Sequence, residues 1–296
     1  TYVDYCIQRG LDVDDFAPRL SFFFNSHLDF FEEIGKYRAA RRIWARTMKN
    51  KYKAKKEKSL QLRFHTQTAG FSLTAQQPEN NITRTAYQGM AAVLGGTQSL
   101  HTNSMDETLA LPSQKAVEIA LRTQQILAYE TGVANVVDPL GGSWYVENIT
   151  NKIEKETIKY FEQINSLGGV INCIENGFMQ KEIADASKQY NDEVEENNRY
   201  IVGINKFINK DDNVDIPLLK ISKQVEIDQV ESLKKMKKNR NKEKIKIALN
   251  NIENACINGN NLMPPIIEAA LTYATLGEIV NTMKKYFGEW NETPVI

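Results

Sequence analysis

A chain of 296 residues, 42% hydrophobic and 25% charged, is long enough to bury a sizeable core and too apolar to be disordered. Its 37 Lys+Arg balance 37 Asp+Glu, so no global field draws it to nucleic acid or to an acidic membrane surface. No run of about 18 apolar residues occurs, which excludes a spanning helix; neither a nucleic-acid nor a membrane partner is expected.

The chain opens Thr1-Tyr2-Val3-Asp4, with no Met and no signal-peptide pattern, and reads as a piece of a longer chain. Cys6, Cys173 and Cys256 are far apart and odd in number, so no disulfide framework and no CxxC motif is present. A reducing, cytoplasmic setting follows as the expectation. Without a secretion signal, Asn81-Ile82-Thr83 and Asn148-Ile149-Thr150 carry no meaning as glycosylation sites.

In chain order, residues 19–25 are strand-like. Residues 30–49 have helical spacing, with Phe31, Ile34, Tyr37, Ala40, Ile43 and Trp44 as an apolar stripe. A second strand is expected over 60–66, a helix over 81–94 stopped by Gly95-Gly96, a third strand over 97–102, and a helix over 113–131 after Pro112. Repeated strand–helix units point to a parallel sheet, open or barrel. From Val133 the pattern changes. A turn-rich Asp138–Ser143 segment precedes helices over 149–167, 170–176 and 179–196, and Tyr200–Phe207 reads as a late strand. A polar loop over 209–213 follows, then one long charged amphipathic helix over 224–257. Its Lys234–Lys246 charge run reads as a solvated face. That helix and the aromatic end (Tyr286, Phe287, Trp290) could pack on the strand–helix half or on a partner subunit, and the expectation is the strand–helix half or its linker.

The three early strands are not the continuous Val/Ile/Leu runs of a sheet covered on both faces. With a period of two, one face carries Arg19, Ser21, Phe23 and Asn25, then Arg63, His65 and Gln67, then Thr97, Ser99, His101 and Asn103. A polar inner face implies that water or an extended polar ligand fills the interior. Asn25, His65, Gln67, His101 and Asn103 fall at or just past the C-terminal strand ends, where such folds place chemistry. Bland readings stand beside these. A strand His next to a hydroxyl is usually a hydrogen-bonded structural group, which applies to His27, His65 and His101. Arg19 could pair Asp14 or Asp15, and Glu107 could be a catalytic acid or a loop cap. No HExxH, GxSxG, P-loop or GxGxxG occurs, and no protein metal site is expected.

Several blocks together carry a resemblance. DFAPRLSFFFNSHLDFFEEIGKYRAARRIWA from Asp15, RFHTQTAGFSLTAQQPENN from Arg63, GGTQSLHTNSMDETLALP from Gly95 and DPLGGSWYVE from Asp138 resemble the methylmalonyl-CoA mutase family of cobalamin-dependent acyl-CoA mutases. IVGINKF from Ile201 and NLMPPIIEAALTYATLGEI from Asn261 continue the match over nearly the whole chain. The resemblance implies an α/β fold: the C-terminal part of a TIM (β/α)8 barrel in residues 1–132, about its last three strands, then a mainly helical region over 133–296 leading toward a cobalamin domain. It implies CoA contacts at Arg19, Leu20 and Ser21 on a late barrel strand. It places His65, Gln67 and Gly70 at the mouth facing the corrin, and Glu107 as a carboxylate near the cofactor. Adenosylcobalamin would carry a radical rearrangement of an acyl-CoA thioester, which explains why no nucleophile–base pair is visible.

In this family the substrate-recognising residues lie upstream of Thr1, so no catalytic residue is transferred. None of His27, His65 or His101 has Asp two before and Gly three after, so the DxHxxG signature is missing and the lower cobalt ligand is expected from another chain or segment. An open three-strand piece leaves unpaired sheet edges, so activity is expected only with the remaining barrel and a cobalamin-binding subunit, in a hetero- or homo-oligomer. Sister specificities for isobutyryl-CoA or 2-hydroxyisobutyryl-CoA, and a catalytically silent partner subunit, are the competing readings.

Overall fold

The computed structural model describes residues 1–209 and 216–292. Its contacts divide into two units, Thr1–Leu219 and the segment from Lys220 onward. Among the described residues the protein is mostly helical, with one small parallel sheet.

The first unit opens with the short helices α1 (Tyr2–Gln8) and α2 (Val13–Phe16), then a 3-10 turn over Ala17–Arg19. Three strand–helix units follow: β1 (Phe22–Ser26) and α3 (Phe30–Asn50), β2 (Phe64–Thr68) and α4 (Asn80–Leu94), β3 (Ser99–His101) and α5 (Gln114–Tyr129). Two of these helices start where the sequence supplies caps: Asp29 accepts from the Glu32 N–H of α3, and Ser113 accepts from the Ala116 N–H of α5. α4 stops at Gly95. A Cβ there would sit 2.2 Å from the buried Tyr37 ring, so only glycine lets the chain pass.

The strands pair in parallel in the order β1-β2-β3, with β1 and β3 as open edges. One face is packed: Phe22, Phe24, Phe64 and Leu100 meet Tyr37, Ala40, Trp44 and Ala92 from α3 and α4. The other face is open: Phe23, Asn25, Ser99 and His101 are exposed, and His65 and Gln67 are half-buried. The polar alternation thus has a structural counterpart, because helices cover only one side of the sheet.

Beyond α5, α6 (Trp144–Ser166) lies along α3, and Ile34, Ala91 and Val146 join α3, α4 and α6 in one cluster. Arg38 ties this junction, reaching Asp138 Oδ1 at 2.9 Å, Glu147 Oε1 at 2.7 Å and Thr150 Oγ1 at 3.1 Å. Its guanidinium, with the Gly142 N–H, pulls the Glu147 carboxyl down to about 2. A depressed carboxylate stabilises the fold above its unfolded pKa and loses that contribution as pH falls through the folded value. The α3–α6 junction is therefore expected to loosen between about pH 4.5 and pH 2. Glu147→Gln should flatten that part of an acid-unfolding curve followed by circular dichroism.

α7 (Val170–Glu175) and α8 (Phe178–Glu195) complete the helices of this unit. The late strand expected over Tyr200–Phe207 is not formed: the segment is a turn holding one isolated bridge, Val202 to Lys206. Gly203 adopts a φ of 86°, and Asn205 accepts from the Ile201 N–H while donating to Val194 O and Arg199 O. Local turn chemistry outcompetes extension. Of the polar loop expected over 209–213, residues 210–213 lie outside the described residues.

The second unit comprises α9 (Lys223–Asn239), α10 (Lys242–Asn258), α11 (Met263–Leu271) and α12 (Leu276–Phe287). The single helix expected over 224–257 is two helices. Arg240 is extended (ψ 155°), and Asn241 caps α10 by accepting from the Lys244 N–H. Arg240 leaves the helical path to meet Glu278 and Tyr273 O, and Glu278 also closes a capping box with Thr275. α10, α11 and α12 pack around Ile252, Ala248, Ala269 and Ile279, whereas α9 buries no residue.

Candidate functional site

The register aligns the candidate side chains in rows across the open face. Phe23, His65 and Ser99 form one row, and Asn25, Gln67 and His101 the next toward the C-terminal ends. His65 Nδ1 lies 2.7 Å from Ser99 Oγ, and its other ring nitrogen makes no hydrogen bond among the described residues. The side chains of Asn25, Gln67 and His101 make no hydrogen bond among the described residues, and each is exposed or half-buried.

Just past the strand ends a buried polar network begins. Thr68 Oγ1 donates to Asn103 Oδ1 at 2.8 Å and accepts from the Asn103 N–H at 2.9 Å. Asn103 Nδ2 donates to Glu107 Oε2 at 2.8 Å, and the Ser104 N–H to Glu107 Oε1 at 2.7 Å. Both oxygens of Glu107 are thus engaged, and it caps the turn that follows β3. Thr68 is fully buried and Asn103 nearly so. A Cβ on Gly70 would come within 2.9 Å of Asn103 Nδ2, a tight approach on which the Asn103–Glu107 bond depends. Gln88 of α4 braces the same region, donating to Ser72 Oγ while Ser72 Oγ donates to Ala69 O.

His27, at the end of β1, has a different environment. Its ring stacks on Phe71 at 4.7 Å and meets Tyr190 of α8 edge-on at 6.2 Å. Burial, helped by Arg199 and Lys36, pushes its pKa below the ordinary histidine value and outweighs the opposing pull of Glu33 and Asp29. It is a packed rim residue.

The remaining candidates lie at the opposite ends of the strands. Arg19 is not on a strand but closes the 3-10 turn before β1, because Pro18 favours a turn there. Leu20 packs its side chain into the cluster of Val3, Ala17 and Met48. Arg19 and Ser21 are exposed. Neither Asp14 nor Asp15 pairs Arg19. Asp14 accepts from Ser59 Oγ at 2.6 Å and from the Lys55 and Lys56 N–H groups, and Asp15 faces Lys56 Nζ at 3.4 Å. The Arg19 guanidinium has no partner among the described residues. Arg19–Ser21 thus lie at the N-terminal edge and Gln67, Gly70 and Glu107 at the C-terminal end, separated by roughly four strand residues or about 13 Å. His65, expected at the C-terminal ends, is instead the second residue of β2, level with Phe23, and lies between the two groups. Thr68 and Arg84 were missed by sequence reasoning. Both are polar residues on buried faces, and Arg84 is held by Thr74 Oγ1, Asn81 Oδ1 and Val202 O.

A parallel sheet with one helix-covered face and one polar open face defines an α/β protein with its candidate site along the uncovered side. Comparison with known proteins places it further: the methylmalonyl-CoA mutase family model matches residues 1–289, and the chain belongs to that family. It is 42% identical over 296 residues to the 2-hydroxyisobutanoyl-CoA mutase large subunit of Aquincola tertiaricarbonis, covering all of this chain and 53% of that one. It is 42% identical over 297 residues to the methylmalonyl-CoA mutase of Rhizobium meliloti, covering all of this chain and 41% of that one. It is 40% identical over 292 residues to the mitochondrial methylmalonyl-CoA mutase of Mus musculus, covering 97% and 39%. The chain thus spans about half or less of the length of these relatives. No helix among the described residues is long and apolar enough to cross a membrane.

Proposed function

We propose that this chain is the CoA- and cofactor-facing part of an adenosylcobalamin-dependent acyl-CoA mutase acting in the cytoplasm, of the methylmalonyl-CoA to succinyl-CoA type. The observation that carries the reading is the open polar sheet face, with an unpaired guanidinium at one end and a buried hydrogen-bond network at the other. In this reading the three strands are the last of a TIM barrel, residues 1–132 hold its final strand–helix units, and the helical region from 133 leads toward a cobalamin-binding subunit or domain. An acyl-CoA thioester lies along the open face, as that face lacks the aliphatic filling of a closed core.

Arg19 and Ser21 bind the CoA end. The Arg fork matches phosphate or carbonyl oxygens, and the backbone of Leu20 continues the contact. At the other end the donor set suits a corrin bearing amide side chains. Gln67 and the free nitrogen of His65 are available, Gly70 lets the ring approach closely, and Glu107 is held rigid by Asn103 and the Ser104 N–H. When bound, the cofactor supplies the radical chemistry of the rearrangement. This chain's residues orient the thioester and keep water away from it.

A sister specificity has one observation behind it, the relative named for 2-hydroxyisobutanoyl-CoA at 42% identity, which a methylmalonyl-CoA mutase equals. Turnover of methylmalonyl-, isobutyryl- and 2-hydroxyisobutyryl-CoA by the assembled protein with a cobalamin subunit separates the readings, and no turnover of any of them supports a silent subunit. Arg19→Ala is expected to raise KM for the acyl-CoA about tenfold or more while kcat stays within about twofold, since a lost charge-assisted bond outside the reacting centre weakens uniform binding. An unchanged KM removes Arg19 from the CoA site.

A further inference from the structure

At the N-terminal edge of the sheet, Arg19 has a neighbour that the functional reading does not use. Arg63 immediately precedes β2, and its backbone carbonyl accepts from the Phe22 N–H at 2.9 Å, which locks it beside the start of β1. Its Nη2 donates to Pro18 O, with a longer contact of 3.5 Å to Leu20 O. These two carbonyls flank Arg19, so one guanidinium grips the turn that presents the other.

Neither cation is neutralised. Arg38, Arg42, Arg46, Arg122, Arg199 and Arg240 each meet a carboxylate, whereas Arg63, like Arg41 and Arg84, meets only neutral groups, and Arg19 has no partner among the described residues. Two nearby acids are committed elsewhere, Asp14 to Ser59 and the Lys55–Lys56 backbone and Asp15 to Lys56, and Glu57 of the neighbouring 3-10 turn pairs with neither Arg among the described residues. An anion at this edge would be attracted by both charges. Arg63 is exposed, so the N–H groups that do not grip the turn face outward. Lys58, on the segment leading into β2, is exposed and without an ion pair among the described residues, adding positive charge to the same edge.

We propose that Arg63 is a second phosphate-binding residue of this edge: with Nη2 it fixes the Pro18–Leu20 turn, and with its remaining N–H groups it joins Arg19 in holding a phosphate of the substrate's nucleotide end. The proposal rests on the reading of Arg19 as a CoA contact. It makes Arg63 a determinant of preference for phosphate-bearing thioesters over those that end at pantetheine.

The test compares the assembled enzyme's KM for an acyl-CoA with that for the matching acyl-pantetheine, which lacks the nucleotide phosphates. Arg63→Gln is expected to raise KM for the acyl-CoA about tenfold and to leave the acyl-pantetheine within about twofold, because one charge-assisted phosphate contact is lost. Arg63→Lys should recover only part of the loss, as an ammonium lacks the planar fork. Equal weakening of both thioesters by Arg63→Gln would reduce Arg63 to a clamp on the turn and overturn the proposal. Discrimination lost in Arg19→Gln but kept in Arg63→Gln would overturn it and leave the CoA reading standing. Discrimination kept in both variants would remove the CoA reading as well.

Discussion

In the proposed cofactor site, Asn103→Ala is expected to weaken capture of adenosylcobalamin by about tenfold, because it removes the buried link between Thr68 and Glu107 and leaves both with an unmet partner. Thr68 is fully buried, so no water can replace the lost acceptor without rearrangement. Asn103→Asp should be worse. It keeps an acceptor for Thr68 but sets a second carboxylate against Glu107 and abolishes the Nδ2 donor. Gly70→Ala should resemble Asn103→Ala, as its Cβ displaces Nδ2. Titration of the cofactor's visible spectrum against the protein assembled with its cobalamin-binding subunit measures all three. Unchanged saturation curves in the face of a displaced Glu107 would take that carboxylate out of the cofactor site.

The largest effect on stability is expected from Phe64→Ala, at about 3–5 kcal/mol of lost unfolding free energy. Phe64 is 2% exposed and stands between Phe24, edge-on at 5.3 Å, and Tyr37, stacked at 5.1 Å. It is the central ring through which β1, β2 and α3 pack. Neighbouring strands cannot close the void, since their register is fixed by ladder bonds on both sides of β2. Phe23→Ala makes the matched control. Phe23 lies one residue from the packed face and is 59% exposed, so it should cost far less. Urea unfolding of both variants compares the two faces of the sheet directly. Similar losses would mean that the open face is covered in solution.

The helices were legible because their signals are local. The apolar stripe from Phe30 and the stop at Gly95-Gly96 lie within a few residues of what they determine. The strand edges were less legible. Arg19 alternates correctly with Ser21 and Phe23, yet Pro18 curls the backbone one turn before pairing begins. Tyr200–Phe207 has strand composition, but it has no neighbouring strand to pair with and an Asn205 that satisfies its backbone locally. Around Arg240 the periodic stripe continues across a helix break, because the ion pair with Glu278, 38 residues away, decides the path of the chain.

The sequence by itself determined the strand–helix order, the alternation that puts His65, Gln67, Ser99 and His101 on one side, and the family. Each of these is written in residue types at short, fixed spacing. Only the tertiary structure decided that Arg63 grips the turn carrying Arg19 while neither pairs with a carboxylate among the described residues, and that Thr68, Asn103 and Glu107 form one network. It also decided that His27 is held between Phe71 and Tyr190. Apart from the local Asn103–Glu107 bond, those contacts join residues from 35 to 163 positions apart, and no pattern along the chain encodes which of several possible partners wins.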